Sequence, residues 1–462
     1  MSGPDLTAEM MNSFRSSGSE DHLTILLGAG ASITSGLPDW DTFATRLLVG
    51  NGLISEGAAR ILLAHQDPII VVEAARSVSK DSWETKLSKA LYGGVASLDS
   101  LDSSPLHLAA AGRFLNKPEK TSLVTLNFDT LLERTIDSDG GEKTLSLTNG
   151  RQAEGKPAVH HLHGIITPDC TQDVVLTLTD FTTLIAQQSA WQVQFLHDVM
   201  EKGALIIAGT SYRDPDLRQW LHAALQENPG HKAFVLLARE SFGVSKGEFE
   251  QLKGALSAQW MAIGLEPILL EDHTDAAQII YEIGHLDQEN YLSPQERSRK
   301  VWDAHCEKFN DLQEEYVEQL AKDAEALKTY FDVKELNITL WISDGRGSLV
   351  KWASQDRIYR DPTTLRRVET GHDSPWFAGL ALGAEALVFQ NLDDTRTRRW
   401  LSVLAIPLPV ITHPDLPSVT SAVLTVGLPH AAEQFEHDRI TWGNAVARIA
   451  NEWGTRLSES AT

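Results

Sequence analysis

Residues 22–41 read HLTILLGAGASITSGLPDWD. Leu23 to Leu27 is a short, continuous apolar run, the pattern of a buried strand. Gly28 and Gly30 follow at once, with Ala29, Ala31 and Ser32 between and after them. A glycine loop in this place lets backbone N–H groups approach a phosphate, because glycine has no Cβ to block it. The third glycine of the usual dinucleotide fingerprint is missing. The glycine pair alone therefore suits a ligand loop and an ordinary strand-to-helix turn equally well. Gly36 to Trp40, Gly-Leu-Pro-Asp-Trp, adds a second turn and sharpens the signal.

Outward from this stretch, apolar runs alternate with amphipathic ones up to about residue 285. The runs Leu23–Leu27, Ser122–Leu126, Val159–Leu162, Val174–Leu178, Ala204–Ala208, Ala233–Leu237 and Pro267–Leu270 read as strands. Trp40–Val49, Ile69–Ala75, Pro105–Leu115 and Trp191–Glu201 read as helices between them. This alternation predicts an α/β fold, a doubly wound, Rossmann-like parallel sheet. Ligands of such sheets bind beyond the carboxyl ends of the strands.

Three later loops stand at the ends of those strands. Thr125-Leu126-Asn127-Phe128-Asp129 precedes the helical pattern from Leu131. Asn127 there suits a helix N-cap and Asp129 a first-turn acid, and both also suit a ligand site. His160-His161-Leu162-His163-Gly164 follows. His163 is the better catalytic base, since imidazole exchanges a proton near neutral pH; His160 or His161 reads as structural, and no second motif completes a metal site. Gly209-Thr210-Ser211 ends the run Ala204–Ala208, a small-residue loop able to hold the other end of a dinucleotide.

The bulk properties set limits. A chain of 462 residues predicts two to four domains, and 42% hydrophobic residues supply sizeable cores. The net charge of −23 argues against a broad nucleic-acid-binding face. No apolar run reaches the roughly 18 residues of a membrane helix, and residues 1–20 lack the features of a signal peptide. A cytoplasmic protein without membrane or direct nucleic-acid partners is expected. Two lone cysteines, Cys170 and Cys306, predict neither a disulfide framework nor a zinc site.

GAGAS and SGLPDW, then TLNFD, then HLHG, then GTS occur in this order over about 190 residues. In this the chain resembles the sirtuin-like NAD-binding domain, and within it the divergent bacterial branch of phage-defence NAD hydrolases. The resemblance covers residues 21–285. It implies that Gly28, Ala29, Gly30 and Ser32 cradle the NAD+ phosphates. Pro38, Asp39 and Trp40 would lie over the nicotinamide ribose, and Gly209, Thr210 and Ser211 on the adenosine side. It implies further that Asn127 orients the water or ribose, that Asp129 holds the nicotinamide amide and that His163 is the catalytic histidine. The Arg usual after the Pro-Asp-aromatic segment is Asp41 here, and Leu126 replaces a Gln. The two Cys-x-x-Cys pairs of deacetylases are absent, which favours water over acyl-lysine as nucleophile. The implied activity is hydrolysis of NAD+, as substrate and without zinc, in an anti-phage effector that depletes NAD+ on activation. An NAD-dependent protein deacylase and a non-catalytic NAD or ADP-ribose sensor are the alternatives.

The remaining chain differs in character. Residues 1–20 read as a tail or one short helix, and residues 286–335 as a linker and long helix. Trp302 to Phe331 is expected to form one helix, whose apolar face either packs on its own domain or makes a signalling or dimer seam. Asn337–Ile342 and Ser348–Ala353 flank Ser343–Gly347 as a hairpin, and Trp400–Val410 and Val419–Leu428 read as strands before a final helix from Glu436 to Leu457. Residues 336–458 resemble a GAF domain, an α+β fold. That resemblance implies a sensor for a small-molecule or protein trigger, or a homo-oligomerisation module without a ligand.

Overall fold

The computed structural model describes residues 4, 6–17, 22–50, 52–79, 82–93, 95, 98–140, 143–151, 155–186, 190–210, 215–227, 233–392 and 399–461. The chain forms two compact units, Asn12–Ile280 and Tyr281–Thr462, the latter together with Met1–Met11. Helix Ala8–Ser17 precedes the first strand.

The first unit holds strands β1 (His22–Leu27), β2 (Thr121–Thr125), β3 (Leu145–Leu147), β4 (Ala158–His161), β5 (Ile165–Ile166), β6 (Thr171–Gln172), β7 (Gly203–Ala208), β8 (Ala233–Ala238) and β9 (Leu265–Leu270). Seven of them make one sheet in the order β3-β4-β2-β1-β7-β8-β9, every pair parallel. The chain thus builds outward from β1 in both directions. A switch point of this kind opens a crevice beyond the carboxyl end of the central strand. β1, β7 and β8 are near-continuous apolar runs because helices cover both faces of a parallel sheet. On one face Leu26, Val124, Leu205, Ile207, Val235 and Leu237 meet Leu196, Leu217, Trp220 and Trp260. A separate helical core joins helices Trp40–Gly50, Pro68–Ser77 and Trp83–Tyr92 through Phe43, Leu47, Val72 and Leu87.

One expected strand is absent. Val174–Leu178 is an extended connection from β6 into helix Leu178–Ala186. Its Val175 N–H donates to the His163 carbonyl at 2.9 Å rather than to a sheet strand. Asp180 then accepts from the Thr177 N–H at 3.1 Å and starts the helix. A short apolar run looks the same in a strand and in a buried connection. β3 escaped the sequence reading for the converse reason, being a half-buried edge of three residues.

The second unit is an antiparallel sheet in the order β12-β11-β10-β15-β14-β13. Its strands are β10 (Asn337–Ser343), β11 (Ser348–Ser354), β12 (Arg367–Glu369), β13 (Val388–Asn391), β14 (Ser402–Val410) and β15 (Val419–Leu428). β10 and β11 form the expected hairpin, and Gly345 and Gly347 in its turn have φ of 62° and 99°. The expected single helix over Trp302 to Phe331 is two, Pro294–Glu307 and Phe309–Tyr330. Lys308, with ψ 20°, breaks the axis between them, which apolar spacing cannot register. Both helices bury their apolar faces in one core with Trp352, Trp442 and Trp453, and the closing helix runs from Arg439 to Ala461.

Candidate active site

The glycine loop after β1 meets the loop after β7 backbone to backbone. Gly28 N–H donates to Ala208 O at 2.9 Å and Gly30 N–H to Gly209 O at 2.7 Å. A Cβ on Gly28 would stand 2.7 Å from Gly209 O, and one on Gly30 2.9 Å from the same atom. Gly209 itself has φ +70°, where other residues are strained. Ala31 and Ser32 N–H groups close the turn on Gly28 O and Ala29 O. The glycines thus serve loop-on-loop contact. Of the five amides from Gly28 to Ser32, the Ala29 N–H is the one without such a bond among the described residues. The sequence reading had the loop offer its amides to a phosphate; most of them are used inside the protein.

Above this contact lies a cavity of about 150 Å³. Gly28, Ala29 and Ser32 line it from the end of β1, Asn127 and Asp129 from the end of β2, His163 from beyond β4 and Thr210 from beyond β7. Pro38, Asp39 and Trp40 line it from the second turn. Gly30 and Gly209 lie in the loop contact and do not line the cavity. Ser211 falls outside the described residues.

The polar side chains are tied to one another. Asn127 Nδ2 donates to Gly28 O at 3.0 Å and to Ser32 Oγ at 2.8 Å, so both its amide hydrogens are engaged. Ser32 in turn hydrogen-bonds Asp129. Asp129 Oδ1 accepts from the Leu131 N–H at 3.0 Å, so the helix-entry bond that the sequence offered to Asn127 is made by Asp129, which precedes the first turn rather than lying in it. Burial raises the Asp129 carboxyl above its ordinary pKa, against the hydrogen bonds from Leu131 and Ser32 and the charge of His161, while Glu133 adds to the rise. Asp39 Oδ1 accepts from the Thr42 N–H at 2.7 Å and so caps helix Trp40–Gly50.

Aromatic rings enclose the rest. Trp40 stacks on Phe43 at 5.9 Å, and Phe43 on Phe128 at 6.2 Å. The buried His163 ring meets Phe181 edge-on at 5.7 Å and Trp220 at 5.5 Å.

Two residues beneath the cavity were not both foreseen. His161, read as structural, places Nδ1 3.0 Å from Asn127 O and Nε2 2.6 Å from Glu133 Oε1. Glu133 was missed. Its helix and β4 approach only through the pairing of β2 with β4, which no local motif announces. Its one sequence signal is an acid in a helix-face otherwise made of Leu132 and Ile136.

Residues 121–268 match the family model of the SIR2-like domain. The NAD(+) hydrolase ThsA of Cytobacillus dafuensis is 22% identical over 282 residues, 57% of this chain and 53% of that protein. The chain therefore matches about half the length of this curated relative. Among solved structures, the crystal structure of a SIR2 homolog–NAD complex is 14% identical, with a TM-score of 0.32 over 62% of this chain and 96% of that one. A putative GAF sensor protein from Burkholderia vietnamiensis is 16% identical, with a TM-score of 0.22 over 38% of this chain and 99% of that one. Residues 121–268 of the first unit thus match a SIR2-like domain and lie in its parallel α/β sheet.

Proposed function

We propose that the first unit hydrolyses NAD+ to nicotinamide and ADP-ribose. The observation that carries this reading is the convergence of Asn127, Asp129, His163 and the Gly28–Ser32 loop on one cavity at the switch point of the sheet. The similarity of 57% of the chain to an NAD+ hydrolase supports it.

The bond between nicotinamide and ribose breaks with oxocarbenium character, and nicotinamide leaves as a neutral molecule. No strong general acid is needed. A dry, preorganised pocket and a positioned water are what accelerate such a step. The wall of Trp40, Phe43, Phe128 and Phe181 supplies the dryness. Because Nδ2 of Asn127 is held by Gly28 O and Ser32 Oγ, Oδ1 is the atom left to accept a hydrogen from water. His163 polarises a ribose hydroxyl or that water, and Asp129 holds the nicotinamide amide. Ala29 and Thr210 receive the phosphate and adenosine side. Free NAD+ hydrolysis would poison its own cell. A defence effector therefore needs a latch, a role that fits the second unit as a sensor or assembly module.

The test is chromatography of nicotinamide and ADP-ribose after incubating the full chain with NAD+, with and without an acetylated peptide. Peptide-independent release, lost in Asn127→Ala and His163→Ala, is expected. Full activity in both variants would sink the residue assignment. Release only with peptide would make the protein a deacylase. No release in any assembly state would leave a binding-only NAD or ADP-ribose sensor.

A further inference from the structure

We propose that Glu133 and His161 form a buried, proton-sharing pair that positions Asn127 for NAD+ hydrolysis without touching the substrate. This rests on the hydrolase reading and adds a support to its site.

The argument is one of donors and acceptors. A backbone carbonyl only accepts, so His161 Nδ1 must carry a hydrogen to bond Asn127 O at 3.0 Å. On the other side, Nε2 lies 2.6 Å from Glu133 Oε1, which also accepts from Ser146 Oγ at 2.5 Å. One proton must therefore sit between Nε2 and the carboxylate. Burial works to remove the charge from His161. The Glu133 carboxylate, the hydrogen bonds to it and to Asn127 O, and the nearby Asp129 outweigh burial and raise its pKa. The charged form of the His161 ring is thus favoured beside Glu133, with both side chains nearly out of solvent.

The pair joins three elements at the site: the helix Leu131–Gly140, the end of β4 and the loop after β2. Contacts run from Ser146 through Glu133 and His161 to the Asn127 backbone. They continue from the Asn127 side chain to Gly28 and Ser32. Asn127 is held at both its backbone and its side chain, so Oδ1 is fixed where a water must be aimed. Without Glu133, the Nε2 proton has lost its acceptor, and the ring has lost the anchor that holds it in place beneath Asn127. Gln at this position can still donate to Nε2 and keep Nδ1–H on Asn127 O, without the charge.

Two measurements on the full chain decide it. In NAD+ hydrolysis, Glu133→Ala should lower kcat by about ten- to a hundredfold, the size of a small misplacement at a reacting centre, with little change in KM. Glu133→Gln should recover most of it. In nitrogen-15 NMR, the wild-type His161 ring should show both nitrogens protonated at neutral pH, and Glu133→Gln a neutral Nδ1–H tautomer. A Glu133→Ala kcat like that of wild type, a Glu133→Gln variant as slow as Glu133→Ala, or a neutral wild-type His161 would each overturn the proposal. If Glu133→Ala does not fold, Glu133→Gln and the resonance decide. Wild-type protein that releases no nicotinamide breaks the hydrolase reading instead; the His161 resonance then decides the pair alone, and a neutral wild-type ring overturns it.

Discussion

Each unit buries a histidine with no solvent exposure, and the pKa values of the two shift in opposite directions. His161 in the first unit has acceptors at both ring nitrogens, the Asn127 carbonyl and the Glu133 carboxylate. His305 in the second unit faces Val301 O at 2.7 Å on one side and the Tyr316 hydroxyl at 3.0 Å on the other. One acceptor and one donor satisfy a neutral imidazole, and burial lowers the His305 pKa to about 4. The same side chain, equally buried, thus has its charged form favoured in one unit and disfavoured in the other. The wider setting follows the same division. The polar groups around His161 line or support a cavity. Those of the second unit close on its core, as Trp453 Nε1 does on Asp323 Oδ2 at 2.7 Å and Gln313 Nε2 on Trp352 O at 2.8 Å. Buried polarity marks chemistry only where it converges on open space.

The largest expected effect tests the first half of this contrast. Asn127→Ala should cost at least about a hundredfold in nicotinamide release, the scale of losing one preorganised polar group. Its thermal melting should change much less. A collapse of melting with activity per folded molecule retained would make the polar floor a stability device. The second unit should behave the other way. Trp453 is 1% exposed and packs edge-on against Tyr316 at 5.1 Å. Its replacement by Ala should destabilise by about 3–5 kcal/mol in chemical denaturation, as large core truncations do. A loss under about 1 kcal/mol would break the picture of that core.

Acid titration sharpens the comparison of the histidines. His305 has a folded pKa of about 4, below the roughly 6.5 of an unfolded histidine. Its contribution to stability is therefore present above pH ~6.5 and is lost as pH falls towards 4, by at most about 3 kcal/mol. His161 has the opposite sign: its raised pKa favours folding most below pH ~6.5, and that benefit fades as pH rises through the folded value. Denaturation of wild type and His305→Gln between pH 7 and 4.5 should show a shallower acid loss in the variant; parallel curves would refute the neutral assignment. The smallest effect concerns glycine. Gly30→Ala would set a Cβ 2.8 Å from the His273 ring and 2.9 Å from Gly209 O. It should weaken NAD+ binding about tenfold, read by calorimetry, for roughly 1–2 kcal/mol of loop displacement. Unchanged affinity would show that the two loops can part freely.

Much of the frame was legible in the sequence. Continuous apolar runs identify β1, β7 and β8 because strands covered on both faces have no polar side to show. Asn127, Asp129 and His163 stood out because polar residues directly after such runs fall at the carboxyl ends of strands. The hairpin of β10 and β11 was readable from Ser343–Gly347, a turn that glycine makes possible. Val174–Leu178 was misread because four apolar residues and a Thr carry no period long enough to separate a strand from a buried connection. The break at Lys308 was invisible because apolar spacing continues across it.

The stretch from His22 to Asp41 shows where the division falls. Its own residues determined a strand, a tight turn and a helix start, since these follow from apolar runs, missing Cβ atoms and local capping. The tertiary structure decided what the glycines are for. Gly28 and Gly30 stand where Gly209, some 180 residues later, leaves little room for a Cβ, and two of the turn's five amides bond that later loop. It also decided which way the His161 pKa moves, because the partner that raises it, Glu133, comes from a different element. Local sequence fixes conformation through sterics between neighbours. Charge state and close approach depend on groups brought together by the sheet, and appear only once it is built.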